Sequence, residues 1–119
     1  MKKPEIARMH VALAVQDLEA AIEEFTERLG APPVVVAGGE YALFLVGCLN
    51  LSISEIPGQA GKLRHLGFED TTSSEFTVET DDNGFMWERF TLPQQAQEIN
   101  ERWPGTDWTP SPEQLPTKG

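Results

Sequence analysis

Residues 8–30 read RMHVALAVQDLEAAIEEFTERLG, and the fold turns on them. The first half of this stretch alternates with period two. Met9, Val11, Leu13 and Val15 make one large apolar face, and His10, Ala12 and Ala14 make the other, small apart from the imidazole. The alternation predicts a strand over 7–15 with one face packed and the other lining a shallow space. Asp17 then suits a helix N-cap, because its carboxylate can accept from the free N–H groups of the first turn. Leu18, Ala21, Ile22, Phe25 and Leu29 recur at helical spacing, with Glu19, Glu23, Glu24 and Glu27 elsewhere on the helix. Gly30 ends it, and Pro32-Pro33 prevent continuation.

Downstream, Val34–Val36, Tyr41–Val46 and Leu49–Ile56 read as three strands, separated by Gly38-Gly39 and Gly47-Cys48. In the third, Leu49, Leu51 and Ile53 share one face, and Asn50, Ser52 and Ser54 the other. Residues 7–56 are therefore β-α-β-β-β. After a Pro-Gly loop, Leu63–Glu69 echoes the first strand: His65 and Gly67 share a face as His10 and Ala12 do. Phe76–Thr80 and Phe85–Thr91 flank an Asn83-Gly84 turn and predict a hairpin. A helix follows, with Pro93 in its first turn, a stripe of Leu92, Ala96, Ile99 and Trp103, and a stop at Pro104-Gly105. The expected class is α+β, in one domain over 1–108. Module one is 7–56, module two is a shortened 63–104, and 109–119 is a loose tail with three prolines.

At 119 residues the chain is one domain's worth of sequence. Nine basic and nineteen acidic side chains give a net charge of −10, concentrated in 69–101, where Arg89 is the only base. A field of that sign opposes nucleic acid and anionic membranes and favours metal ions or cationic small molecules. No apolar run approaches a membrane span, and the MKKPEIARMH start lacks the apolar core of a secretory signal, so a cytoplasmic protein is expected. The single Cys48 excludes an intrachain disulfide framework and a metal cage of cysteines alone. The two histidines, His10 and His65, are the whole histidine content and stand at matching places in the repeat, beside small residues.

The stretch from Arg8-Met-His10 through Asp17 and Phe25 to Arg28-Leu-Gly30 resembles the opening module of the vicinal oxygen chelate superfamily. That superfamily includes glyoxalase I, extradiol dioxygenases, bleomycin resistance proteins and organoarsenical lyases. Tyr41-Ala-Leu-Phe-Leu, Leu49-Asn50-Leu-Ser-Ile-Ser and Arg64-His65-Leu-Gly67-Phe68 look most like its cadmium-induced and organoarsenical-lyase branch. The resemblance covers 7–69, about half the chain. It implies a glyoxalase-like fold of βαβββ modules and metal ligands at His10, His65 and Glu88. The glutamate is placed by Asp82-Asn-Gly84-Phe-Met-Trp87-Glu88, four residues after the glycine and preceded by an aromatic. A fourth ligand carried by some members falls at Asn50, so a three-ligand site is implied. Three features depart from the family: no helix follows the second histidine's strand, the second module has too few strands, and one cysteine stands where the arsenical lyases use a pair.

Two imidazoles and a carboxylate with open positions suit divalent iron, manganese, nickel or zinc, acting as a Lewis acid on a small substrate that chelates through adjacent oxygens. Asn50 and Ser52 are candidates for a polar pocket wall, Trp87 for stacking on a flat ligand, and Glu79 for the place of Glu88. Two other readings are open. One is a metal-free binding protein of the bleomycin-resistance type. The other is a degenerate member, its cleft filled by side chains, acting through protein contacts. A half-complete sheet also invites a homodimer.

Overall fold

In the computed structural model, which describes residues 3–116, the alternating run is strand β1 (Ile6–Val15) and the stripe after it is helix α1 (Leu18–Leu29). The Asp17 carboxylate accepts from the Ala20 N–H at 2.9 Å, and Gly30 closes the helix at φ 78°, a conformation glycine adopts at least cost. Strands β2 (Val35–Ala37), β3 (Tyr41–Val46) and β4 (Leu49–Glu55) complete a βαβββ module. The chain continues through β5 (Leu63–Asp70), β6 (Thr77–Thr80), β7 (Met86–Phe90) and helix α2 (Leu92–Arg102). A capping box starts α2: Thr91 Oγ1 accepts from the Gln94 N–H, and Gln94 Oε1 accepts from the Thr91 N–H at 2.8 Å.

The class is α+β. All seven strands form one sheet in the order β2-β3-β4-β1-β5-β7-β6. β1 and β5 run antiparallel at its centre, with β4 parallel to β1 and β7 parallel to β5. The pairing thus repeats about the β1–β5 seam, and the second half lacks a helix and one strand, as its sequence implies.

The two faces of the sheet are covered differently. Val11, Leu13, Phe44, Leu51 and Ile53 face α1, which buries Leu18 and Ala21 among them and packs Ile22, Phe25 and Leu29 alongside. The opposite face carries His10, Asn50 and Ser52, and α2 folds back onto it. Ile99 packs with Tyr41, Leu43 and Ala37, and Trp103 stacks on Tyr41 with ring centroids 4.8 Å apart. Gly38 makes that contact possible, since a Cβ there would collide with the Trp103 indole. The missing helix of the second half is therefore not replaced on the α1 side; α2 instead roofs part of the other face.

Within the expected loose tail, Ser111 to Leu115 turns back on itself, and the Gln114 carbonyl accepts from Arg8 Nη2 at 2.7 Å. The rest of that expectation, over 117–119, lies outside the described residues. Among the described residues no helix is long and apolar enough to cross a membrane.

Candidate metal centre

Strand register alone brings His10 and Glu88 together. His10 on β1 pairs with Gly67 on β5, and Gly67 pairs with Glu88 on β7. The two side chains stand on the same face on either side of a residue that has none, so nothing separates them. A Cβ on Gly67 would run into the Glu88 backbone carbonyl, so glycine also sets how closely β7 approaches. His65 lies two residues along β5 on the same face. The result is a tight cluster: His10 Nε2 to His65 Nε2 is 3.0 Å, His65 Nε2 to Glu88 Oε1 is 3.0 Å, and His10 Nε2 to Glu88 Oε1 is 3.4 Å.

His10 is oriented from behind. Its Nδ1 faces the Asn50 side-chain Oδ1 at 2.8 Å and the Asn50 backbone O at 3.1 Å. Both partners are acceptors, so Nδ1 carries the proton and Nε2 is directed at the cluster. Asn50 is itself fully buried, and its Nδ2 donates to Glu69 Oε2 at 2.8 Å and Gln95 Oε1 at 2.7 Å. Gln95 Nε2 returns a bond to Asn50 Oδ1 at 3.1 Å, which ties α2 to the site. The Glu69 charge, also buried, is neutralised by Arg8 Nη1 at 2.9 Å and 3.1 Å from its two oxygens. Phe90 packs edge-on against the His10 ring, with centroids 5.2 Å apart.

Burial pushes the Glu88 carboxyl up. The adjoining His10 and His65 rings outweigh that and hold it down at about 2. Burial likewise pushes the Tyr41 phenol up, against a lowering hydrogen bond with Ser52, so the ring stays neutral.

The cluster opens into a cleft of about 310 Å³ whose walls include Tyr41, Ser52, Arg64, Phe76, Arg102 and Trp103. The residues singled out from the sequence divide accordingly. His10, His65 and Glu88 meet, and Ser52 lines the cleft. Asn50 is not on the wall but behind His10. Trp87 lies on the α1 side of the sheet, because it neighbours Glu88 in a strand, and its indole N–H donates to Asp81 Oδ2 at 2.9 Å. Glu79 pairs with Trp87 and is exposed. The fourth-ligand position also moves. Ala12 pairs with Ser52 as Gly67 pairs with Glu88, so the counterpart of Glu88 in the first half is Ser52 rather than Asn50.

Sequence reading missed Arg64, Gln95 and Arg102. Gln95 carried a signal, being a polar residue beside Ala96 and Ile99 on the buried stripe of α2. Arg64 carried none. It is the extra residue of a β-bulge, since Ala12 pairs with His65 and Leu13 with Leu63, and the bulge lets it turn toward the face of its neighbour His65.

The complete βαβββ half-sheet is the module that the vicinal oxygen chelate resemblance implies, and the shortened second half departs from it. Over 76 residues, 62% of its length, the chain is 38% identical to the cadmium-induced protein CadI of Mycobacterium bovis. The match to CadI of Mycobacterium tuberculosis is the same. The chain spans about half the length of these curated relatives, the match covering 49% of each. They bear out the likeness to the cadmium-induced branch. No family model matches the chain. Among solved structures, methylmalonyl-CoA epimerase from Mycobacterium tuberculosis is 16% identical and aligns over 82% of this chain and 96% of its own, with a TM-score of 0.44.

Proposed function

We propose that His10, His65 and Glu88 hold one divalent metal ion (iron, manganese, nickel or zinc). On this reading the chain is an enzyme of the glyoxalase/dioxygenase type, acting on a small molecule that chelates through adjacent oxygens. The observation that carries the reading is the convergence of one ligand atom from each residue within 4.8 Å of the others. The donor set fits such an ion. Two ring nitrogens and a carboxylate that stays ionised suit borderline metals, and the His10 tautomer is fixed by a carbonyl pair as metal-binding imidazoles require. A bound ion would act as a Lewis acid toward the substrate's oxygens.

The chain's own groups then bind and orient. Asn50 and Gln95 keep the His10 ring in one orientation. The Tyr41 hydroxyl, paired with Ser52, offers a neutral hydrogen-bonding group on the wall. Phe76 and Trp103 give the cleft an apolar side that excludes water from the ligand. The same apolar side supports the second reading, metal-free binding of a flat compound. The open cleft speaks against the filled-cleft reading. We also propose a homodimer as the working unit, since β2 and β6 leave both edges of the sheet unpaired in one chain.

Calorimetric titration with Ni²⁺, Mn²⁺, Zn²⁺, Fe²⁺ and Cd²⁺ tests the site, with Cd²⁺ included because the CadI relatives are named for cadmium. One-to-one binding in the parent, lost in both His10→Ala and His65→Ala, is expected. Absent binding, or binding indifferent to both changes, removes the metal reading.

A further inference from the structure

The chain has five arginines and an acidic surplus that could neutralise them all. Three are neutralised: Arg8 by Glu69, Arg28 by Glu24 and Arg89 by Asp70. Arg64 and Arg102 form no ion pair among the described residues, and both line the cleft that holds the triad. Each is placed by a neutral partner. Arg64 Nη1 donates to Ser54 Oγ at 3.1 Å, and the Arg102 guanidinium lies over the Trp103 ring, 5.0 Å from its centroid. Such contacts fix a guanidinium without cancelling its charge. Glu98 lines the same cleft one helical turn before Arg102, yet no ion pair joins them. The two arginines come from unrelated elements, a bulge in β5 and the last turn of α2, and only the fold-back of α2 brings them to one cleft.

We propose that this cleft takes an anionic small molecule, with Arg64 and Arg102 binding a carboxylate arm while the ligand's adjacent oxygens turn toward the ion that His10, His65 and Glu88 would hold. The net charge of −10 does not describe this cavity, where two guanidiniums stand without a carboxylate partner. A guanidinium meets a carboxylate through two parallel N–H donors, which gives orientation as well as attraction. A cleft of about 310 Å³ has room for a short-chain diacid. The substrate class is then a small oxo or hydroxy acid carrying a second carboxylate. This rests on the metal reading for the chelating end only.

The test is calorimetry on the full chain. The Ni²⁺-loaded protein is titrated with 2-oxoglutarate and with 2-oxopentanoate, which has the same carbon chain without the second carboxylate. The metal-free protein is titrated with glutarate, a diacid that lacks the oxo group. Each ligand is run against the parent, Arg64→Gln, Arg102→Gln and the double variant. The parent should bind 2-oxoglutarate about tenfold or more tighter than 2-oxopentanoate. Each single change should erode that preference and the double variant should abolish it, with Ni²⁺ binding retained as the sign of an intact fold. Equal affinity for the two oxo acids, or a preference that survives in the double variant, overturns the proposal. If the parent takes no Ni²⁺, the metal reading has failed by itself. Arginine-dependent glutarate binding then still upholds the anion site, and its absence ends it.

Discussion

Asn50 grips the His10 imidazole with both of its oxygens, Oδ1 at 2.8 Å and the backbone O at 3.1 Å. A fully buried amide is costly unless all its groups are bonded, and this one bonds at every position. Asn50→Ala leaves His10, Glu69 and Gln95 each short of a partner. The expected loss is about 3 kcal/mol of stability, read by urea unfolding. Metal affinity should fall roughly 10- to 100-fold, because the ring is then held only by the backbone O of residue 50. Gln95→Ala should cost less on both measures. Parental metal affinity in Asn50→Ala would end the orienting role.

Glu88 gives the metal-free protein an acid-labile component. Its carboxyl is held down at about 2 from an ordinary 4.5, chiefly by the two histidines working against burial. The stability from this shift is complete above about 4.5 and is lost as the pH falls toward 2. Glu88→Gln cannot titrate. In the presence of a chelator its unfolding free energy should therefore fall less steeply than the parent's over that range. Superimposable pH profiles would mean that the histidines do not hold the carboxylate.

Gly67 is the spacer on which the triad depends. A methyl group there meets the Glu88 backbone carbonyl, so Gly67→Ala must push β7 from β5 or twist the strand. The expected cost is about 2 kcal/mol in thermal or urea unfolding. Metal affinity should also drop, although no ligand has been changed. A variant that unfolds and binds metal as the parent does would show that β7 accommodates the methyl group.

Most of the fold is legible in the sequence because its signals are local. The alternation over 7–15, the stripe from Leu18 to Leu29 and the Asn83-Gly84 turn each name their element without reference to the rest of the chain. His10 and His65 are legible as a pair because Ala12 and Gly67 repeat the small residue two places on. What depends on pairing between distant strands is not legible. Asn50 and Ser52 lie on one face, and only the β1–β4 register shows that Asn50 stands behind His10 while Ser52 matches Glu88. Arg64 is hidden by a bulge, and Arg102 by the path of α2. The placement of Trp87 was within reach of the sequence, since adjacent strand residues face opposite ways and Trp87 could not share a site with Glu88.

Trp87 therefore supplies a control. Its ring lies on the α1 side of the sheet, and its one polar contact is the 2.9 Å bond to Asp81 in the hairpin turn. Asp81 also accepts from the Asn83 and Phe85 N–H groups, and the Trp87 bond is the main cause of its depressed carboxyl value. Trp87→Phe keeps the ring and removes the donor. It should lower stability slightly and loosen the β6–β7 hairpin, seen as faster amide exchange near Gly84. Metal binding and oxo-acid binding should stay within about twofold of the parent, because β7 keeps its register through four paired positions with β5. A large loss of binding in Trp87→Phe would mean that hairpin geometry sets the position of Glu88, and that Gly67 alone does not.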